Sequence, residues 1–169
     1  AGVVVNGNLL LGKDGNAHEV GHIVIDYKGS RKCGCGGYGH WESYASGAHI
    51  PKFIKQLINE WNLSTEEKNS ELYRNYLRGN ISTELLFTLG KRGDILALKI
   101  INELGKINAS GIATVINVYD PELITIGGSI ALKNPELIIG PMMKYLDMYV
   151  TNRKPIITLT TLGEDIVLK

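Results

Sequence analysis

Between Glu19 and Glu42 the chain reads EVGHIVIDYKGSRKCGCGGYGHWE, and this stretch limits the fold more than any other. Its glycines, Gly29, Gly34, Gly36, Gly37 and Gly39, exclude a regular core element and predict a short loop with positive φ angles. Both cysteines of the chain lie here with two of its four histidines. His22, Cys33, Cys35 and His40 are separated by ten, one and four residues, so one hairpin or loop can close them around a single ion. Two thiolates and two imidazoles are a donor set suited to tetrahedral Zn²⁺. His22 taken alone reads as a half-buried histidine, but the cysteine loop that follows favours ligation. Glu19 and Glu42 flank the cluster, and carboxylates beside a metal loop are candidate partners for a polar ligand.

A chain of 169 residues with 44% hydrophobic and 21% charged residues has the composition of an ordinary globular domain, read here as one unit over residues 1–169. Positive and negative residues are interspersed to a net charge of +1, which gives nucleic acid no electrostatic foothold. No apolar run approaches the length of a membrane span. Cysteines two positions apart seldom reach disulfide geometry, so a reducing, cytoplasmic setting with a metal role is expected. Ala1 leads straight into Val3–Val5, and residues Ile166–Lys169 stop on an apolar run without a cap; both ends read as cut from a longer chain.

Along the chain, residues 2–12 predict a β-hairpin turning at Asn6-Gly7. Val20–Ile25 has the composition of a strand, with His22 near its start. Beyond Trp41 the spacing turns helical: a tight segment around Ser43, Ala45, Gly47 and Ala48, then one opened by Pro51 with Phe53, Ile54, Leu57, Ile58 and Trp61. Ser64 and Glu67 form a capping box for a helix carrying Leu72, Tyr73, Tyr76 and Leu77. A short helix from Ser82-Thr83 is expected to break at Gly90, and Asp94 to cap the longest periodic segment, which Asp120-Pro121 stops. Leu123–Ile126 reads as a buried strand running into Gly127-Gly128-Ser129. Asn134-Pro135 opens a helix that Pro141 should kink or restart, and 156–162 is a last strand. Strands alternating with helices after an antiparallel start give an α/β, mixed-sheet architecture.

These pieces resemble the ROK family, which includes sugar kinases such as glucokinase and fructokinase and also sugar-responsive repressors. Ala1–Gly7 is similar to the end of the family's second phosphate-loop hairpin. Glu19-Val20-Gly21-His22 matches its Glu-x-Gly-His, and Cys33–Glu42 matches its Cys-x-Cys-Gly-x-x-Gly-Cys-x-Glu zinc loop. Gly90–Asp94 resembles the entry to its long helix, and Asp120–Gly128 its adenosine-side strand and turn. The departure is His40, which stands where the family has a third cysteine. It is read as the fourth zinc ligand, with a loop histidine and a water in that position as the alternative.

The resemblance implies the C-terminal lobe of an actin-like, ribonuclease H-like ATPase, a mixed sheet flanked by helices and stapled by a structural zinc loop. The N-terminal lobe, with the catalytic base, and a final helix would lie outside this chain, so no catalytic residue is assigned within it. Isolated, it should have no kinase activity. Glu19, His22 and Glu42 would contact the sugar; His22, Cys33, Cys35 and His40 the zinc; Gly2, Gly127 and Gly128 the nucleotide. The intact protein would then be a cytoplasmic, homodimeric kinase acting on hexose, foremost glucose, with Mg-ATP. The alternative is the sugar-sensing lobe of a repressor, the one case in which nucleic acid is a partner.

Overall fold

The computed structural model describes residues 1–163, and the apolar end at 166–169 lies outside them. Asn6 and Gly7 both take positive φ (50° and 77°), so strands β1 (Val4–Val5) and β2 (Asn8–Leu9) pair antiparallel, as the turn predicts. The chain then builds helices α1 (Glu42–Ala45), α2 (Ile50–Glu60), α3 (Thr65–Lys68), α4 (Glu71–Leu77), α5 (Thr83–Lys91) and α6 (Ile95–Tyr119). Strand β3 (Leu123–Ile126), helices α7 (Ser129–Lys133) and α8 (Pro135–Leu146) and strand β4 (Ile156–Leu159) follow. Strands β3 and β4 are parallel, with Leu123 opposite Ile156 and Ile126 opposite Leu159, so α7 and α8 form the crossover that parallel pairing requires.

The expected single mixed sheet is, among the described residues, two separate two-stranded sheets, one antiparallel and one parallel. Val20–Ile25 is not a strand. Its apolar composition suits one, but Val20–His22 forms a 3₁₀ turn in which His22 N–H donates to Glu19 O and Ile23 N–H to Val20 O; only Val24 bridges, to His40. Strand β3 is not fully buried either. It alternates, with Ile124 and Ile126 packed inward and Leu123 exposed.

Helix α6, 25 residues and about 37 Å long, is the spine. One side packs Leu96, Ala97, Ile100, Ile101 and Leu104 into a core shared with α2, α4 and α5. Farther along, Ala109, Ile112, Ala113 and Ile116 join Met142 and Leu146 of α8 in a second core beneath β3 and β4. This is the double-sided burial its apolar girth predicts.

The helix starts follow from local chemistry, with additions. Ser64 Oγ accepts from Glu67 N while Glu67 Oε2 accepts from Ser64 N, the predicted capping box. The predicted helix beyond it is two, because Ser70 Oγ accepts from Tyr73 N and starts α4 afresh. Gly90 does not break α5; it lies inside the helix, where a Cβ would stand 2.5 Å from Ile101 Cδ1. Asn134 precedes Pro135 as expected, yet its side-chain amide donates back to Ile130 O in the last turn of α7 and makes no side-chain cap for α8. Helix α8 continues through Pro141, whose ring and carbonyl pack on Gly105 of α6.

Candidate metal-loop site

The loop from Asp26 to Trp41 is a small knuckle held by its own main chain. Gly36 N–H donates to Cys33 O, Cys33 N–H to Gly37 O and Gly39 N–H to Arg31 O, at 2.8–3.0 Å. Of the five glycines expected at positive φ, Gly29, Gly36 and Gly39 adopt it, and Gly34 and Gly37 do not. At Gly37 the need is space, since the His40 ring occupies the position a Cβ would take. At Gly39 a Cβ would meet the Asp26 carbonyl, so only glycine allows the close approach made there.

This folding gathers the four predicted donors: one ligand atom each from His22, Cys33, Cys35 and His40 lies within 4.8 Å of all the others. His22 Nδ1 is 3.7 Å from Cys33 Sγ, and His40 Nδ1 is 3.3 Å from Cys35 Sγ. Tetrahedral Zn²⁺ with bonds of about 2.05 Å to nitrogen and 2.3 Å to sulfur requires N-to-S edges of about 3.5 Å, so the residues present fit that ion. Cys33 is buried and Cys35 exposed. Burial pushes the Cys33 thiol above its ordinary value, and a cation at the centre of the four donors is what would draw the proton off.

Both flanking carboxylates reach the cluster. Glu42 Oε1 lies 3.9 Å from Cys33 Sγ, and Glu19 Oε2 lies 3.7 Å from Nε2 of His22, the ring nitrogen facing away from the cysteine. His22 thus has one nitrogen toward the sulfur and the other toward a carboxylate, a division that fixes a ring's tautomer in metal sites. Gly127 and Gly128 stand apart from this group. With Trp41, Ile112, Ile126 and Met142 they line an apolar cavity of about 360 Å³ where β3 meets α7, and Gly128 takes φ 95° at the helix start. Gly2 joins neither place; the Leu9 methyl is its neighbour, 3.9 Å from where a Cβ would stand.

Other contacts in and around the loop and its approach have no local signal in the sequence. Arg31 donates from Nε to Ser43 O at 2.6 Å and from its guanidinium to Gln56 Oε1 and His49 O, lying 5.4 Å from the Tyr44 ring centre. Asp26 accepts from Tyr44 Oη at 2.6 Å and from the Lys28 and Ser30 amides, and these bonds, Tyr44 foremost, hold its carboxyl at about 2. His18, buried at φ 69° just before Glu19, donates from Nε2 to Leu10 O and meets Tyr119 Oη through Nδ1 at 3.2 Å. Trp41 donates to Asn108, 67 residues away.

The chain is similar to known proteins over most of its length. The ROK family model matches residues 1–165. A glucokinase of Pyrobaculum calidifontis is 39% identical over 164 residues, covering 97% of this chain and 49% of that protein. A ROK family glucokinase from Streptomyces griseus, solved with glucose and AMPPNP, superimposes with a TM-score of 0.79 at 27% identity, over 97% of this chain and 53% of that one. The Escherichia coli DNA-binding transcriptional dual regulator NagC is 29% identical over 130 residues, 77% of this chain and 29% of that protein. The chain thus spans about half the length of the glucokinase it matches. Nearly the whole sequence fits one family description, on the fold seen in that family's solved structures, and the chain belongs to the ROK family.

Proposed function

We propose that this chain is the sugar-gripping lobe of an ATP-dependent hexose kinase, with glucose the foremost substrate. The observation that carries the reading is the convergence of Glu19, His22 and Glu42 on one four-donor cluster. Carboxylates accept hydrogen bonds from sugar hydroxyls, and a histidine held by a neighbour on one nitrogen presents the other as a rigid partner. The names of its relatives support the substrate: the P. calidifontis protein is a glucokinase, and the S. griseus kinase was solved with glucose.

In this reading His22, Cys33, Cys35 and His40 hold a structural Zn²⁺, which when bound fixes ring planes and, with four protein ligands, leaves no position to activate water. His22 then orients a hydroxyl through Nε2, while Glu42, carried on the first turn of α1, accepts from another. Glu19, 63% exposed, closes the grip from the solvent side. Gly127 and Gly128 open onto the cavity assigned to the base of Mg-ATP, and Gly2 is assigned to the phosphate side. Phosphoryl transfer asks mainly for positioning and charge neutralisation, and this chain's share is positioning. The cytoplasmic, homodimeric state belongs to the same reading; among the described residues no helix is long and apolar enough to cross a membrane.

The similarity to NagC favours one second reading, a sugar-sensing lobe of a transcriptional regulator. Turnover and DNA binding measured on the intact protein separate the two, the first as ADP release from ATP against glucose, mannose, fructose and N-acetylmannosamine. Hexose-dependent ADP release, highest with glucose, is expected. Sugar binding without turnover, together with sugar-dependent DNA binding, would replace the kinase by the regulator.

A further inference from the structure

Trp41 stands between His40, a donor of the metal cluster, and Glu42, a proposed sugar contact, yet its side chain reaches the spine helix. The indole Nε1–H donates to Asn108 Oδ1 at 2.9 Å. Its ring rests on Gly111, where a Cβ would lie 2.5 Å from Cε2 and Cε3, so glycine alone leaves the room it needs. The same indole is a wall of the apolar cavity that Gly127 and Gly128 border. Its main chain is fixed as firmly: Trp41 N–H donates to Ile23 O, beside His22, and its carbonyl accepts from Tyr44 N and Ala45 N at the start of α1. One residue therefore belongs to both places, through its ring to the cavity and through its backbone to the metal loop and the sugar grip.

We propose that Trp41 is a positioning residue that couples a nucleobase in this cavity to the order of the metal loop. A planar heterocycle filling the space packs against the indole, as π surfaces do at short range. Pinned between that base, Gly111 and Asn108, the indole holds the backbone that carries His40 and Glu42. At equilibrium such coupling is reciprocal: whatever factor the base adds to zinc affinity, zinc adds to base affinity. The inference rests on the reading of the cavity as the nucleotide's base site.

The test follows zinc loss from the zinc-loaded intact protein to a chelator, using a colorimetric zinc indicator, with and without adenosine. Adenosine carries no phosphates that would themselves bind the metal, and its binding is measured separately by calorimetry. In the wild type, saturating adenosine is expected to slow zinc loss about fivefold or more. In Trp41→Phe and Asn108→Leu, each at adenosine saturating for that variant, the ratio should fall toward one. Variants that lose stability and release zinc faster but keep the wild-type adenosine ratio would reduce Trp41 to a packing residue and overturn the coupling. Adenosine that binds the wild type without slowing zinc loss overturns it too, while the nucleotide reading stands. No adenosine binding at all removes both.

Discussion

Asp26 shows how a single side chain can hold a loop. Its carboxyl, at about 2 rather than the ordinary 3.8, is stabilised as the anion by Tyr44 Oη first and by the Ser30 and Lys28 amides. A depressed folded-state value adds stability above the unfolded value and loses it as the pH falls through the folded one. Asp26→Asn should therefore lower stability by about 1 kcal/mol at neutral pH. The gap to wild type should close between pH 3.8 and about 2, as thermal unfolding across pH would show. Glu42→Gln keeps the shape of the side chain and removes the charge from the proposed sugar grip; the KM for glucose should rise roughly tenfold or more, with the KM for ATP little changed. At this scale the sequence marked what chemistry marks. Two thiols and two imidazoles in 19 residues point to one another, whereas Arg31, His18 and Trp41 act through partners on other elements that no local spacing reveals.

Helix starts were legible because capping is local, and the surprises came where one cap serves two elements. Asp94 Oδ1 accepts from Ala97 N to start α6, as its position predicts, while Oδ2 accepts from Glu71 N and Leu72 N at the first turn of α4. Asp94→Ala should thus cost about 2 kcal/mol, twice an ordinary cap, and a loss under about 1 kcal/mol in urea unfolding would show that the second cap is idle. Close packing gives the opposite lesson at Gly105. Alanine there improves helix propensity by about 1 kcal/mol, but its Cβ would stand 2.5 Å from Pro141 Cβ and 2.7 Å from its carbonyl carbon. Overpacking of about 1–3 kcal/mol outweighs that gain, so Gly105→Ala should lower the melting temperature; a rise would mean that α8 yields easily. Val20–Ile25 has strand composition but forms a half-buried 3₁₀ turn, and the two look alike in sequence until the pairing is known: only Val24 finds a partner, His40.

For the molecule as a whole, the order of motifs along the chain was enough to place it in its family, because each motif is a short run whose chemistry depends on neighbours in sequence. The arrangement of sheets was less legible: β1–β2 and β3–β4 remain separate pairs among the described residues, and a composition rich in Ile and Leu does not say which strands meet. What unites the molecule is the spine helix, which carries Asn108 and Gly111 under Trp41 and so connects the glycine turn to the metal loop. The central claim is that this loop is a zinc staple that shapes a sugar grip. It is tested most directly by metal analysis of the intact protein and of His40→Ala, with the KM for glucose measured on the same samples. The account predicts one zinc per chain in the wild type, and in the variant loss of zinc, a lower melting temperature and a raised KM; a variant that keeps stoichiometric zinc, full thermal stability and the wild-type KM would contradict it.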